Sequence, residues 1–253
     1  MRIIGIIPAR YASTRFPGKP LAEVNGKPMI QRVYEQAKKC KLFTEVIVAT
    51  DDERIEKAVK KFKGKVVITS PKHESGTERC YEALQTLLRL NKGDSFDAVI
   101  NIQGDEPFIH PDQITKVAKC FSDKNVQLAT LAMKIKSIHE LTNHHTVKVV
   151  INKKKEAIYF SRTAIPYYRG EDFTEWIKMH VYYKHIGIYG YRTDILAEIT
   201  RLEPSSLEMA ESLEQLRWLE NGYKITVQLT DLESYSIDTP EDLKNALLKS
   251  SRE

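Results

Sequence analysis

The sequence predicts an α/β fold in which helices flank an open, mostly parallel sheet. Short runs of β-branched residues alternate with amphipathic helical segments through the first half of the chain. Strands and helices that alternate in this way form parallel sheets, because each helix carries the chain back to the start of the next strand. The most distinctive polar segments directly follow predicted strands, which is where ligand sites form in such sheets.

The first strand is predicted at Ile3–Ile7, a β-branched run that ends at Pro8. Apolar spacing, capping residues and turn signals predict the elements that follow. In chain order these are a helix at Met29–Cys40, a strand at Glu45–Thr50, a helix at Glu53–Phe62, a strand at Lys65–Thr69, a helix at Thr77–Leu90, a strand at Ala98–Gln103, a helix at Pro111–Phe121 and a strand at Leu128–Lys134.

The alternation breaks down beyond Ile135. Val147–Ile151 and Ala157–Ser161 are predicted to form a hairpin, because the polar turn Asn152–Glu156 joins them. We therefore expect one domain, residues 1–253, with an inserted antiparallel β arm at about 142–190. The remaining predicted elements are a strand at Ile186–Tyr191, an amphipathic helix at Leu207–Leu219, a strand at Lys224–Leu229 and a final helix that Asp238 or Thr239 caps.

Charge and composition argue against several classes of protein. The net charge of +5 arises from 39 basic and 34 acidic residues spread along the chain. A nucleic-acid-binding protein would show a dense basic stripe with interleaved aromatic residues, so no nucleic-acid partner is expected. The apolar run at the N-terminus is too short for a signal peptide or a membrane span. We expect a cytoplasmic protein without a membrane partner.

The cysteines predict neither a zinc site nor a disulfide framework. They are odd in number and widely spaced, and no Cys-x-x-Cys pair occurs. Buried, unreactive thiols are the expected state of Cys40, Cys80 and Cys120.

The loop after the first strand, Pro8–Leu21, is the strongest candidate site. Its small residues let backbone N–H groups face an anion, and Arg10, Arg15 and Lys19 supply positive charge. The loop contains neither Gly-x4-Gly-Lys-Ser/Thr nor Gly-x-Gly-x-x-Gly. The pattern therefore predicts a site for a triphosphate or pyrophosphate, and a basic surface loop is the alternative.

Acidic and polar residues follow two further strands. Asp105 ends a strand at the predicted ligand edge, where a carboxylate can bind Mg²⁺ together with substrate phosphate oxygens. A turn or helix-capping role is the alternative for Asp105 and for Asp238, because Asp-Thr-Pro-Glu is a good helix start. Ser75–Arg79 likewise resembles a helix start.

The stretch IIPARYASTRFPGKPL resembles the signature loop of the sugar nucleotidyltransferase superfamily, and in detail that of the 3-deoxy-manno-octulosonate cytidylyltransferase (CMP-Kdo synthetase) family. Further similar stretches occur in family order over nearly the whole chain. They are NGKPMI (25–30), VATD (48–51), SGTER (75–79), NIQGDEP (101–107), VKVV (147–150), YFSR (159–162), HIGIYGYR (185–192), LEQLR (213–217) and IDTPEDL (237–243).

The resemblance implies a Rossmann-like nucleotidyltransferase domain that transfers CMP from CTP to 3-deoxy-D-manno-octulosonate (Kdo). The products would be CMP-Kdo and pyrophosphate, and Kdo would thereby be activated for lipopolysaccharide synthesis. Mg²⁺ is the implied cofactor, with Asp105 and Asp238 as its ligands. The expected catalytic residues are Lys19, Arg10, Arg15, Asp105 and Asp238.

The resemblance also assigns two sets of binding residues. The expected nucleotide-binding residues are Ala9, Arg10, Ser13, Arg15, Lys19, Ser75, Gly76, Thr77, Arg79, Gln103 and Gly104. The expected sugar-binding residues are Gln103, Arg162, His185, Tyr189, Glu214 and Gln215. His185 and Tyr189 are four apart in a predicted strand and should share one face. The family implies a homodimer formed through the arm, and Trp176, Tyr182 and Tyr183 are our candidates for its contact residues.

Other functions remain open at this point. The acceptor could be another acidic sugar, such as 8-amino-Kdo or sialic acid, or a methylerythritol phosphate. A binding module that kept the fold without the chemistry is a further alternative. The presence of Arg10, Lys19, Asp105 and Asp238 argues against it. A nucleic-acid-binding protein is the least favoured.

Overall fold

The computed structural model describes residues 1–90 and 95–250. The chain forms two compact units, of which the first contains Met1–Lys119 and the C-terminal segment from Ser234, and the second contains Cys120–Glu233. The predicted arm at about 142–190 falls within the second unit, and its role stays a prediction.

The elements agree closely with the predicted order. The strands are β1 (Ile3–Ala9), β2 (Glu23–Val24), β3 (Lys27–Pro28), β4 (Phe43–Thr50), β5 (Val66–Ile68), β6 (Ala98–Asn101), β7 (Leu128–Lys134), β8 (Lys148–Ile151), β9 (Ala157–Ser161), β10 (Tyr183–Arg192) and β11 (Ile225–Leu229). The α-helices are α1 (Met29–Lys38), α2 (Glu53–Lys61), α3 (Gly76–Leu90), α4 (Pro111–Cys120), α5 (Ile138–Thr142), α6 (Trp176–Met179), α7 (Thr193–Ile199), α8 (Ser206–Glu211), α9 (Gln215–Glu220) and α10 (Pro240–Ser250).

The sheet of the first unit is parallel and has the strand order β6-β1-β4-β5. β1 lies inside this sheet, and its isoleucines are at most 1% exposed, as expected for a parallel strand covered on both faces. Helices α1, α2 and α3 pack against these strands through their apolar sides. The predicted parallel α/β architecture is confirmed here.

The order of these strands also fixes where a ligand can bind. From β1 the chain proceeds outward to β4 and β5, and then returns to place β6 on the other side of β1. Such a reversal of strand order opens a crevice at the carboxyl ends of the two strands on either side of it. The loop after β1 and the loop after β6 flank this crevice.

The second unit has a mixed sheet built around β7. This strand pairs parallel with β11 and antiparallel with β10. β8 pairs antiparallel with β9 and contacts β10 through Lys184 and Lys148. The antiparallel hairpin predicted at Val147–Ser161 is therefore present, as β8 and β9.

One helix prediction was wrong in detail. The amphipathic pattern of Leu207–Leu219 predicts a continuous helix, but the structure has α8 and α9 with Ser212 between them in the left-handed conformation (φ 51°). The break separates α9, in which Leu216 and Trp218 are buried, from α8, in which no residue is buried. Across residues 1–90 and 95–250, no helix combines the length and the apolar composition that crossing a bilayer requires.

Candidate active site

A cavity of about 310 Å³ opens in the first unit at the carboxyl ends of its strands. Three segments that follow β1, β5 and β6 line it, together with one residue before α10. Its lining residues are Pro8, Ala9, Arg10, Ser13, Thr14, Arg15, Lys19, Pro20, His73, Glu74, Ser75, Gly76, Arg79, Gln103, Gly104, Asp105 and Asp238.

The cavity unites nearly all the predicted nucleotide-binding and catalytic residues. The exception is Thr77, which is 2% exposed within α3 and does not line the cavity. His73 and Glu74 were not predicted, although they directly precede the Ser75–Arg79 motif. Their position after β5 could have predicted them, because the loop after a parallel strand lies at the edge of the sheet where ligands bind.

Lys19 lies between the two predicted metal ligands. Its Nζ donates to Asp105 Oδ2 at 2.7 Å and to Asp238 Oδ1 at 3.2 Å, and its side chain is only 13% exposed. Arg15 Nη2 lies 3.2 Å from the same oxygen of Asp238. Two carboxylates from distant parts of the sequence thus converge on one cationic position.

The helix-capping alternative for Asp238 is not what the structure shows. Thr239 caps α10, because its Oγ1 accepts the N–H of Asp242 at 3.1 Å. The Asp242 carboxylate in turn accepts the N–H groups of Asp238 and Thr239 at 3.1 and 2.8 Å. These bonds hold the backbone of Asp238 and leave its carboxylate for Lys19 and Arg15.

Backbone and side-chain bonds tie the two acidic segments together. The N–H of Ile237 donates to the carbonyl of Asp105 at 2.9 Å. The hydroxyl of Ser234 donates to Glu106, whose side chain is buried. Burial raises the pKa of Glu106 to about 7. The sequence did not single out Glu106, because nothing in it shows which of the adjacent residues Asp105 and Glu106 is buried.

Gly104 allows β1 and the loop after β6 to approach closely. A Cβ at this position would lie 2.7 Å from the carbonyl oxygen of Pro8, which is a backbone atom that cannot rotate away. A larger residue must therefore displace the backbone that carries Asp105.

We expect Gly104→Ala to lower kcat/KM about 100-fold, since displacing a catalytic group by about 1 Å has an effect of this size. The measurement is steady-state pyrophosphate release. Gly26→Ala is the control, because it strains a turn with φ 76° outside the cavity, where an added Cβ meets no atom within 4 Å. Equal losses in the two variants would show that general destabilisation is the cause.

The other end of the cavity is formed at the start of α3. Ser75 caps this helix, since its Oγ accepts the N–H of Glu78 at 3.2 Å. Arg79 is 3% exposed, and its Nη1 contacts Thr69 Oγ1 at 2.7 Å and Asp51 Oδ1 at 3.4 Å. A fixed guanidinium and a helix N-terminus supply rigid polar groups, which discriminate well between similar ligands.

The predicted sugar-binding residues, apart from Gln103, lie in the second unit. His185 and Tyr189 are on β10 with ring centroids 5.2 Å apart, so the predicted shared face is confirmed despite an irregularity in the strand between them. Tyr189 also contacts Trp218 of α9 edge-on at 5.1 Å. Its hydroxyl is buried and has no hydrogen-bond partner among the described residues.

His185 is held in its neutral form. Burial lowers its pKa to about 3. The Thr130 hydroxyl donates to the carbonyl of Ile188 at 2.8 Å, so the 2.9 Å contact between Thr130 Oγ1 and His185 Nε2 must be donated by the imidazole.

This burial predicts a pH dependence of stability. The folded pKa lies below the unfolded value of 6.5, so the unfolded chain takes up a proton first as pH falls from 6.5 toward 3. The free energy of unfolding then decreases by up to about 1.4 kcal/mol per pH unit. We expect His185→Gln to reduce this slope in urea unfolding between pH 7 and 5, and His145→Gln in an exposed loop is the control. Parallel slopes for wild type and His185→Gln would contradict the assignment.

Arg162 makes several contacts to backbone carbonyls of the second unit. Its Nε donates to Glu211 O at 2.6 Å, its Nη2 to Ser212 O at 3.2 Å and its Nη1 to His144 O at 3.3 Å. These contacts support the turn between α8 and α9, from which Glu214 and the buried Gln215 follow. Direct binding of a sugar carboxylate by Arg162 stays a prediction.

Two of the predicted dimer contacts are wrong. Trp176 and Tyr182 are 5% and 2% exposed, and they pack with Ile135 and Leu141 in a cluster of the second unit. Side chains buried within their own chain cannot form the contact surface of a partner. Tyr183 is half-buried.

Comparisons with known proteins identify the family of the chain. Residues 4–225 match the family model of the cytidylyltransferases. A 3-deoxy-manno-octulosonate cytidylyltransferase of Parabacteroides distasonis is 60% identical, covering 98% of this chain and 97% of the relative. One from Bacteroides thetaiotaomicron is 57% identical, covering 97% of each.

A solved structure shares the fold over the whole chain. It is a CMP:2-keto-3-deoxy-manno-octonic acid synthetase complexed with CTP, 40% identical, with a TM-score of 0.89 and coverage of 100% of this chain and 99% of the other. The chain therefore belongs to the cytidylyltransferase family, and within it to the 3-deoxy-manno-octulosonate cytidylyltransferases.

Proposed function

We propose that the chain transfers CMP from CTP to Kdo, giving CMP-Kdo and pyrophosphate, and so activates Kdo for lipopolysaccharide synthesis. One observation carries this proposal: three basic residues of the β1 loop and two carboxylates share a single cavity with the start of α3. The names of the relatives at 60% and 57% identity supply the sugar, and the CTP-bound neighbour supplies the nucleotide.

Arg10, Arg15 and Lys19 are the proposed ligands of the triphosphate. Arg10 and Arg15 are exposed at the cavity, and their guanidinium groups can grip phosphate oxygens in a fork. Lys19 adds a point charge deeper in the cavity. Ser75, Gly76 and Arg79 form the part of the cavity that we assign to the base, because a buried cation and a capped helix start are already fixed in position.

Asp105 and Asp238 fit Mg²⁺ as its protein ligands. The Lys19 ammonium already marks a cationic position between their oxygens. Within the part of the chain that the structure describes, no group of three or more His, Cys, Asp or Glu side chains is placed to hold a metal ion. Magnesium commonly takes one or two carboxylates plus substrate phosphates, so two ligands suffice. When bound, Mg²⁺ would neutralise charge on the reacting phosphates.

The reaction is a displacement at the α-phosphorus of CTP. The anomeric C2 hydroxyl oxygen of Kdo forms the new P–O bond, the bond between the α-phosphorus and the pyrophosphate oxygen breaks, and the hydroxyl proton leaves to solvent. Such transfers depend mainly on positioning and on charge stabilisation. Arg10, Arg15 and Lys19 therefore act on the negative charge that accumulates on the leaving pyrophosphate.

The sugar site is proposed on residues of the second unit, and Gln103, which lines the cavity of the first unit, stays a predicted sugar-binding residue. The buried Tyr189 hydroxyl supports it, because an unpaired buried polar atom is stabilised when a ligand hydroxyl bonds to it. Neutral His185 and the residues that begin α9, Glu214 and Gln215, can add hydrogen bonds to hydroxyl groups.

We further propose a cytoplasmic homodimer. The three cysteines are buried and form no disulfide, as suits a reducing compartment. With Trp176 and Tyr182 buried, the exposed apolar residues of the same segment are the better candidates for the dimer contact: Tyr167, Met179 and Val181.

An acceptor and nucleotide screen tests the proposed activity. Pyrophosphate release is measured with CTP and Kdo, 8-amino-Kdo, sialic acid or methylerythritol phosphate, and then with Kdo and UTP, GTP or ATP. We expect the highest kcat/KM for CTP with Kdo. A higher value for another acceptor would replace the sugar in this proposal, and no release from any pair would overturn it.

A further inference from the structure

Tyr11 closes the loop after β1, Pro8–Leu21, into a compact turn. Its carbonyl oxygen accepts the N–H groups of Ser13 and Gly18, both at 2.9 Å. The residues between these bonds include Ser13, Thr14 and Arg15, all of which line the cavity. The conformation of Tyr11 therefore controls where these groups lie.

The Tyr11 ring is in contact with the end of the same turn. Gly18 has φ 74°, and a Cβ there would lie 3.0 Å from Tyr11 Cζ and Oη. The ring thus packs where only glycine leaves room. A second contact comes from another element: Arg54 of α2 places its guanidinium carbon 3.3 Å from the ring centroid.

Arg54 is itself fixed by the cap of α2. Asp52 caps this helix by accepting the N–H of Arg54 at 2.9 Å. The same carboxylate accepts Nε at 3.0 Å and Nη2 at 2.7 Å in a fork. A forked pair fixes the orientation of the guanidinium plane, which a lone exposed arginine does not achieve.

We propose that Arg54 is a positioning residue for CTP, which orders the loop that begins at Tyr11 by stacking on the Tyr11 ring. This inference rests on the proposed function. Arg54 does not line the cavity, so it acts through Tyr11 and not on the nucleotide itself. Because the stack orders the loop before CTP arrives, removing it weakens nucleotide binding more than it slows the chemical step.

The test compares Arg54→Ala with Lys57→Ala, which removes another exposed cation from the same helix, one that pairs with Glu53 at 3.4 Å. We expect Arg54→Ala to raise KM for CTP and the Kd of CTP measured without sugar about fivefold, the size of one exposed cation–π contact. The kcat and the KM for Kdo stay near wild type. Amide exchange at Ser13 and Gly18 becomes faster in Arg54→Ala only.

Two further variants test the route of the effect. Arg54→Lys keeps the cation but loses the fork, so partial rescue of KM for CTP is expected. In a Tyr11→Leu background, Arg54→Ala should cause little additional change, because its contact is already gone. Unchanged amide exchange, or an equal loss in Lys57→Ala, would overturn the proposal. The exchange measurement needs no turnover, so a failure of the proposed activity would be seen separately.

Discussion

Replacing Lys19 with alanine is expected to lower kcat for pyrophosphate release by about two to three orders of magnitude while the chain stays folded. Removing one fixed group that stabilises developing charge has an effect of this size. Lys19 is 13% exposed and is held by two carboxylates, so its ammonium is preorganised beside the cavity and not free in solvent.

The same substitution should have the opposite effect on metal binding. If Asp105 and Asp238 bind a divalent cation as proposed, the cation would use the carboxylate oxygens that Lys19 contacts, and the two would compete for one position. Without the ammonium, Asp105 loses its ion pair with Lys19, and Asp238 keeps its ion pair with the exposed Arg15. We expect affinity for Mn²⁺, measured by spectroscopy without nucleotide, to rise about tenfold or more.

Lys27→Ala is the matched control for both measurements. Lys27 pairs with Glu35 at 2.7 Å and is 41% exposed. Lys27→Ala therefore removes an equivalent charge from a surface ion pair outside the cavity. Its kcat and metal affinity should remain near wild type. A normal kcat and an unchanged thermal midpoint for Lys19→Ala would show that Lys19 is not a catalytic residue.

The first unit could be predicted well because its signals are local. β1 is a buried isoleucine run, and the loop after it carries its charges within a few residues. The carboxyl ends of parallel strands share one edge, so strand order alone brings the loops after β1, β5 and β6 together. The cavity lining therefore follows from the sequence even where individual contacts do not.

The pairing of charges could not be predicted in this way. Lys19 meets Asp105 and Asp238 across 86 and 219 residues of sequence, and no local pattern encodes such contacts. The choice of helix cap was also undetermined, since Asp238 and Thr239 are both good caps. The structure shows that Thr239 is the cap, because its Oγ1 accepts the N–H of Asp242. The Asp242 carboxylate accepts the backbone N–H groups of both Asp238 and Thr239.

The second unit was harder to predict from the sequence for a different reason. Apolar and aromatic residues such as Trp176 and Tyr182 suit a core or an interface equally well, and burial is settled only by tertiary packing. The helical spacing of Leu207–Leu219 does not reveal the break at Ser212, which needs a left-handed residue and the support of Arg162.

Asp105→Asn and Asp238→Asn are each expected to raise the Mg²⁺ concentration for half-maximal activity at least about tenfold, and to lower kcat about 100-fold. An amide keeps the shape of the side chain but removes the negative charge that a hard cation requires. Asp105 should have the larger effect, because it makes the shorter contact to Lys19, 2.7 Å against 3.2 Å, and is 26% exposed against 38%. Asp112→Asn, at a 72% exposed side chain in α4, is the control.

A thermodynamic cycle separates a shared metal position from two independent charge effects. If Asp105 and Lys19 act at one cationic position, Lys19→Ala should raise Mn²⁺ affinity much less in the Asp105→Asn background than in wild type, since one of the two competed carboxylates is already lost. Additive changes would mean that the two groups act separately. An unaltered Mg²⁺ requirement in both Asp105→Asn and Asp238→Asn would exclude these carboxylates as metal ligands, and the contacts with Lys19 would then be purely structural.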